Sequence, residues 1–375
     1  MQYQDIVGQD EIKFYLREAI RGDRLPHALL FLGSAGHGSL PMALATAQYL
    51  MCQNRTGDDA CGQCSDCHKA GKFIHPDIHF SFPTIGSKVT SVEQLPEWRR
   101  FLMESPYGNV EDWLTIIGGE NKQGNINKDE CHRILKALSL KTYEGDYKIH
   151  ILWMAEYLGK EGNRLLKIIE EPPNQTIFLI IAANQDEILN TILSRCQLVS
   201  FSALSDHDIT EYLMTTYSDL ERNEALHLTY LADGDLGSAL SQLHQKSDLA
   251  TDFFLEWMRT TFKGNPVEIV QWVDRFARLD REGQKRFLSY ALHFLREMLL
   301  RKVSGNNEVR LLGEEKKALE KLKTLVPLSS LQQMIELLGE SIFHLERNAN
   351  SRILMLDNSI RMHNFFTADK KVMAN

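Results

Sequence analysis

What this chain lacks narrows it first. Its 375 residues contain no apolar run near the roughly 20 needed to span a bilayer. The opening Met1-Gln2-Tyr3-Gln4-Asp5 lacks the basic-then-apolar pattern of a secretory signal. Basic residues are not in excess: 42 Lys and Arg stand against 50 Asp and Glu, for a net charge of −8. General nucleic-acid coating, which needs a basic surface, is therefore disfavoured, leaving room only for a local basic face. Cysteine is scarce, six residues in all. In the cytoplasmic protein that these absences imply, cysteines serve as metal ligands or core residues rather than disulfides.

What is present is ordinary soluble composition, 43% hydrophobic and 25% charged. The length exceeds a single core and predicts two or three domains. Ile12, Leu16, Ala19 and Ile20 recur at helical spacing after Gly8-Gln9-Asp10, and that helix ends near Gly22. His27–Leu32 is a short apolar run meeting Gly33, and a helical pattern follows over Leu40–Met51 with Pro41 in its first turn. Further buried strands are predicted at Lys148–Met154, Thr176–Ala183 and Leu198–Phe201, with helices between them at Tyr157–Ile169 and Ile188–Leu193. Asn127 with Glu130 has the form of a capping box opening another helix. Between Phe80 and Asn125 repeated proline and glycine weaken the pattern, which reads as an insertion or long loop with one helix near Leu95–Met103. Alternation of strand and helix gives a doubly wound α/β domain to about residue 203. Beyond Phe201 all patterns are helical: a small unit of about 40 residues, a linker at 246–250, then a second helical domain over 251–366 and a frayed tail from Ala368.

Two motifs carry chemistry. Cys52, Cys61, Cys64 and Cys67 offer four soft ligands, and the paired C-x₂-C steps suit tetrahedral zinc. Four protein ligands leave no open position, so the zinc would be structural. Cys52, nine residues from the others, is the least constrained, with His68 as its substitute. Unrelated cysteines and an iron–sulfur cluster are the alternatives, although the ferredoxin-type run would place cysteine and proline where Gly71 and Lys72 stand. Cys131 and Cys196 read as ordinary residues. The second motif is Gly33-Ser-Ala-Gly36-His-Gly38-Ser39-Leu40, which has the spacing of a phosphate-binding loop. Such a loop needs Lys and then a hydroxyl after its last glycine, to reach the terminal phosphates and hold Mg²⁺. Here Ser39 and Leu40 occupy those places, so the turn survives without its cation or metal ligand.

The order of features resembles a family. Val7-Gly8-Gln9, the run Leu25–Phe31, the glycine loop, the cysteine knuckle behind the loop helix, Leu165–Pro173 (LLKIIEEPP) and Thr191–Gln197 (TILSRCQ) are together similar to the bacterial clamp-loader branch of the AAA+ ATPases. The resemblance covers residues 5–80 and 126–245; the 80–125 stretch has no counterpart, and the C-terminal helices agree in layout only. It implies an AAA+ nucleotide-binding-like domain over 1–203 carrying the knuckle at 52–67, a helical lid domain over 204–246, and a helical collar over 251–366 that assembles with partners.

The resemblance also implies which side of the family this chain is on. Active subunits follow the Ile149–Leu152 strand with Asp-Glu, for Mg²⁺ and for the attacking water. Here Trp153 and Met154 follow, and Glu156 stands two residues late. Gly237 takes the place of a nucleotide-sensing Arg, and Asn184 matches a first-sensor position where a structural role is the simpler reading. Gly33, Gly36, Gly38 and Ser39 would then form a degenerate, non-binding loop, with neither hydrolysis nor tight Mg²⁺–ATP binding. Arg195, flanked by Ser194 and Cys196, matches the family's arginine finger, which acts in trans on a neighbour's nucleotide; a salt-bridged surface arginine is the plain alternative. The implied partners are ATPase subunits of the gamma/tau type and a delta subunit, with the sliding clamp and primed DNA reached through the assembly and no membrane. Two competing functions are an active gamma/tau-type ATPase and a zinc-dependent nucleic-acid module. The acidic residues Asp58, Asp59 and Asp66 around the knuckle count against the second.

Overall fold

A computed structural model describes residues 1–119, 122–244, 249–304 and 309–372. By contacts the chain forms two units, Met1–Asp219 with Ala232–Ser241, and Leu220–Leu231 with Gln242–Asn375. The sequence patterns place breaks near 203 and 246. Contacts instead keep helices Asp206–Thr216 and Leu236–His244 largely with the sheet and put helix Arg222–Ala232 with the C-terminal helices.

The first unit is built on five strands: β1 (Ala28–Leu32), β2 (Ile78–Ser81), β3 (Lys148–Trp153), β4 (Thr176–Ala182) and β5 (Gln197–Ser200). They pair in the order β2-β3-β4-β1-β5, every pair parallel. β3 and β4 are buried at every residue, which explains why apolar side chains dominate both; β3 buries Lys148 and His150 along with them. Successive side chains alternate between two cores. Leu29, Phe31, Ile149, Ile151, Leu179 and Ile181 join one face. Ala28, Leu30, Leu152, Phe178 and Ile180 join the other. From β1 the chain crosses to β2 on one side, while β5 lies on its other side. The carboxyl end of β1 is therefore a topological switch point, the position at which such sheets bind ligands.

The structure corrects several expectations. β2 was absent from the four strands expected, and it forms the sheet edge. The 80–125 stretch is no loose insertion. It carries a turn at Ser91–Gln94 and helices Leu95–Glu104 and Val110–Ile116. Its Phe82, Trp98, Phe101 and Trp113 are fully buried, and Phe82 stacks on Trp98 at 4.2 Å between centroids. The helix expected at Tyr157–Ile169 is instead a 3₁₀ segment, Ala155–Leu165, kinked within itself at Gly159 (φ 47°), followed by a short α-helix, Leu166–Glu170. Asn127 caps its helix through Asp129 and Glu130 N–H, but Glu130 turns away from the cap to bind Ser81, Ser91 and Arg133.

The second unit is helical throughout its described residues. Helices Leu249–Lys263, Pro266–Ala277, Arg281–Ser304, Gly313–Leu325, Leu328–Glu346 and Ser351–Val372 surround a core of Phe254, Trp257, Trp272, Phe276 and Phe287. The tail expected to fray from Ala368 is helical to Val372, and residues 373–375 lie outside the described residues, as does most of the 246–250 linker. No described helix is long and apolar enough to cross a membrane.

Candidate functional site

The glycine loop leaves β1 at the switch point. Gly33 N–H donates to Ala182 O at 3.0 Å, and a Cβ there would stand 2.7 Å from Phe201 Cβ, so only glycine lets the loop start between β4 and β5. A 3₁₀ turn, Ala35–His37, and Gly38 at φ 95° lead into helix Ser39–Met51, buried along its whole length. His37 Nδ1 donates to Phe201 O at 3.2 Å, and Gln9 Nε2 donates to Ser202 O at 2.7 Å. The turn is thus tied to its surroundings by the chain itself.

Asp235 occupies the loop. Its Oδ2 accepts from Ser34 Oγ–H at 2.7 Å, and its Oδ1 caps helix Leu236–His244 through Ser238 N–H at 2.8 Å. A Cβ on Gly36 would fall 1.8 Å from that Oδ1. A carboxylate is therefore pinned against the middle glycine of a loop whose chemistry calls for an anion, and an incoming phosphate would meet like charge. A Cβ on Gly237 would lie 2.2 Å from Tyr107 O, leaving no space for a side chain at that position.

Trp153 is 1% exposed. It packs on Trp98 at 5.0 Å and Phe101 at 5.6 Å, so the 80–125 segment fills the space beside the strand end with rings rather than a metal ligand. Sequence reasoning missed this role, although three large aromatics at 82, 98 and 113 are a poor composition for a solvated loop. Glu156 accepts from Ala183 N–H and, at 2.9 Å, from Asn184 N–H; burial raises its carboxyl above the ordinary range. Asn184 Oδ1 accepts from Asp186 N–H at 3.0 Å, a turn cap.

Arg195 follows the short helix Asn190–Leu193. Its Nε donates to Glu170 Oε2 at 2.8 Å and its Nη1 to Thr191 O at 2.9 Å. Ser194 Oγ lies 3.4 Å from Nη1. The side chain is 30% exposed and Glu170 is 56% exposed, so the pair is a surface one. The EEPP and SRC segments, far apart in sequence, meet in this contact.

The four knuckle cysteines come together. Their Sγ atoms all lie within 4.8 Å of one another, with Cys61 and Cys67 at 3.9 Å. Tetrahedral zinc with Zn–S of about 2.3 Å needs sulfurs about 3.8 Å apart, so the set fits a metal ion. Cys61, Cys64 and Cys67 N–H groups donate to the sulfurs of Cys52, Cys61 and Cys64. The N–H groups of Gln63 and Cys64 hold the Cys61 thiol down at about 6, while burial pushes Cys52 and Cys67 up. His68 is not among the converging ligands. Cys131 and Cys196 stand apart, each pushed up to about 11 by burial. Asp59 accepts from Tyr3 and Gln4 N–H, so the knuckle also anchors the first residues.

A parallel sheet with a glycine loop and a buried helix at its switch point is the frame of a P-loop nucleoside-triphosphatase-like protein. Residues 8–205 match the model of a family described as DNA polymerase III, delta subunit. The chain belongs to that family, as a delta-prime-like clamp-loader subunit. It is 27% identical over 207 residues to "DNA polymerase III subunit delta'" of Bacillus subtilis, covering 55% of this chain and 51% of that one. It is 24% identical over 343 residues to the subunit of the same name from Haemophilus influenzae, covering 90% of each. It is also 22% identical over 365 residues to "DNA polymerase III subunit tau" of Bacillus subtilis, covering 91% of this chain and 57% of that one. The chain thus spans little more than half the length of two of these three relatives.

Proposed function

We propose that this chain is a non-catalytic subunit of the replicative clamp loader. In this reading it serves as a rigid end piece and donates Arg195 in trans to nucleotide bound by a neighbouring gamma/tau-type ATPase subunit while the sliding clamp is loaded onto primed DNA. The observation that carries it is Asp235 held against the degenerate loop. Gly237 closed by Tyr107, and Trp153 in place of a carboxylate, point the same way. A finger needs an exposed arginine on a firm base, and Arg195 follows the buried Ile192. The cysteine set would hold structural zinc. Residues 204–246 would act as the lid and 251–366 as the collar that joins the ATPase and delta subunits, all in the cytoplasm.

The competing reading, an active ATPase, is the one the tau relative raises. It requires triphosphate to enter beside Asp235 with no lysine to offset the charge. Two measurements decide. Purified chain should show no ATP-dependent shift in melting temperature. In the assembled loader, Arg195→Ala should leave the fold intact and cut ATP turnover on the order of 10³-fold. A nucleotide-dependent shift, or unchanged turnover, would sink the assignment.

A further inference from the structure

The EEPP segment supplies the carboxylate acceptor for Arg195. Glu170 ends helix Leu166–Glu170, directly after fully buried Ile169, and Glu171-Pro172-Pro173 follows. The two prolines fix their own φ, and Glu171 before them is barred from continuing the helix, taking φ −126° and ψ 74°. Glu170 therefore projects from a stiff base. It engages Arg195 through Nε alone, at 2.8 Å, and Thr191 O takes Nη1 at 2.9 Å. Nη2 makes no hydrogen bond to a described residue of the chain. The guanidinium plane is thus set by Glu170 on Nε and by Thr191 O and, more weakly, Ser194 Oγ on Nη1, and one nitrogen is left for an outside oxygen.

An unrestrained arginine loses about 2 kcal/mol of rotamer freedom when it is fixed at an anion. A side chain already oriented loses less. An exposed ion pair has little value for stability, so this contact is better explained by what it does to the arginine. We infer that Glu170 is the positioning residue for Arg195: it presets the guanidinium for phosphate on a neighbouring subunit. The inference rests on the finger reading above.

The test uses the assembled loader with ATP as the probe. Glu170→Ala should lower kcat for ATP about tenfold, leave KM for ATP unchanged, and leave the melting temperature of the chain unchanged. Glu170→Gln, which keeps an acceptor without the charge, should recover part of the loss, and Glu171→Ala should behave as wild type. In an Arg195→Ala background, Glu170→Ala should have no further effect. Wild-type turnover in Glu170→Ala, a rise in turnover, or an equal loss with and without Arg195 would overturn the positioning role. If Arg195→Ala itself leaves turnover unchanged, the finger reading has failed instead.

Discussion

The contact between Gly36 and Asp235 can be tested without any partner. Gly36 does not have a positive φ, so alanine is allowed there by the backbone. Its Cβ would nevertheless fall 1.8 Å from Asp235 Oδ1, and the carboxylate must leave. Leaving forfeits the cap on Ser238 N–H, about 1 kcal/mol, and the bond from Ser34, about 1 kcal/mol at this exposed position. Stiffening the unfolded chain offsets about 0.5 kcal/mol. Gly36→Ala should therefore destabilise by about 1.5 kcal/mol, and by more if the helix start shifts too. Asp235→Ala loses the same two bonds and should cost about 2 kcal/mol. The double variant has nothing left to displace and keeps the stiffened backbone, so its cost should be about 1.5 kcal/mol, slightly below that of Asp235→Ala alone. The coupling, about 2 kcal/mol, is the two bonds counted once instead of twice, and it exceeds the error of about 0.5 kcal/mol expected for independent sites. Denaturant unfolding of the four proteins, followed by tryptophan fluorescence, measures it. Additive costs would refute the claim that Asp235 fills the loop.

Three further outcomes are expected. Gly237→Arg, which restores the residue type of a nucleotide sensor, should force Tyr107 out of place, destabilise by about 3 kcal/mol, and still give no ATP-dependent melting shift. Cys61→Ser, or removal of metal by a chelator, should abolish hydrogen-exchange protection at Tyr3 and Gln4 N–H, because their acceptor Asp59 belongs to the knuckle; retained protection would show that the cysteines do not order that segment. Burial lowers His79 to about 4 and His150 well below its ordinary value. The unfolded chain then binds protons first as pH falls below about 6.5, so stability present above that pH is lost toward pH 4. His79 alone contributes a loss of about 2 kcal/mol between pH 7 and pH 5. His79→Gln should flatten the profile by that amount, and a profile parallel to wild type would contradict it.

The sequence by itself determined the frame. Short, mostly apolar runs at β1, β3 and β4, bounded by turn signals, read as strands covered on both faces, and the glycine spacing marks the turn that follows β1. The cysteine spacing declared its cluster for the same reason, since each C-x₂-C step is local chain geometry. β2 escaped because four residues at a sheet edge, Ile78-His-Phe-Ser81, carry too short a pattern. The 80–125 segment was misread because proline and glycine punctuate it, and its aromatics meet only across the fold. Trp98 and Trp153 are separated by 55 residues of chain and by 5.0 Å of space. Tertiary structure alone decided that a carboxylate from residue 235 closes the glycine loop, that Tyr107 denies position 237 a side chain, and that Arg195 rests on Glu170. Each of these is a contact between side chains or backbone far apart in sequence, and no period or spacing encodes which of many acidic residues will arrive. The sequence shows which residues the loop lacks; only the folded chain shows the carboxylate that stands against it.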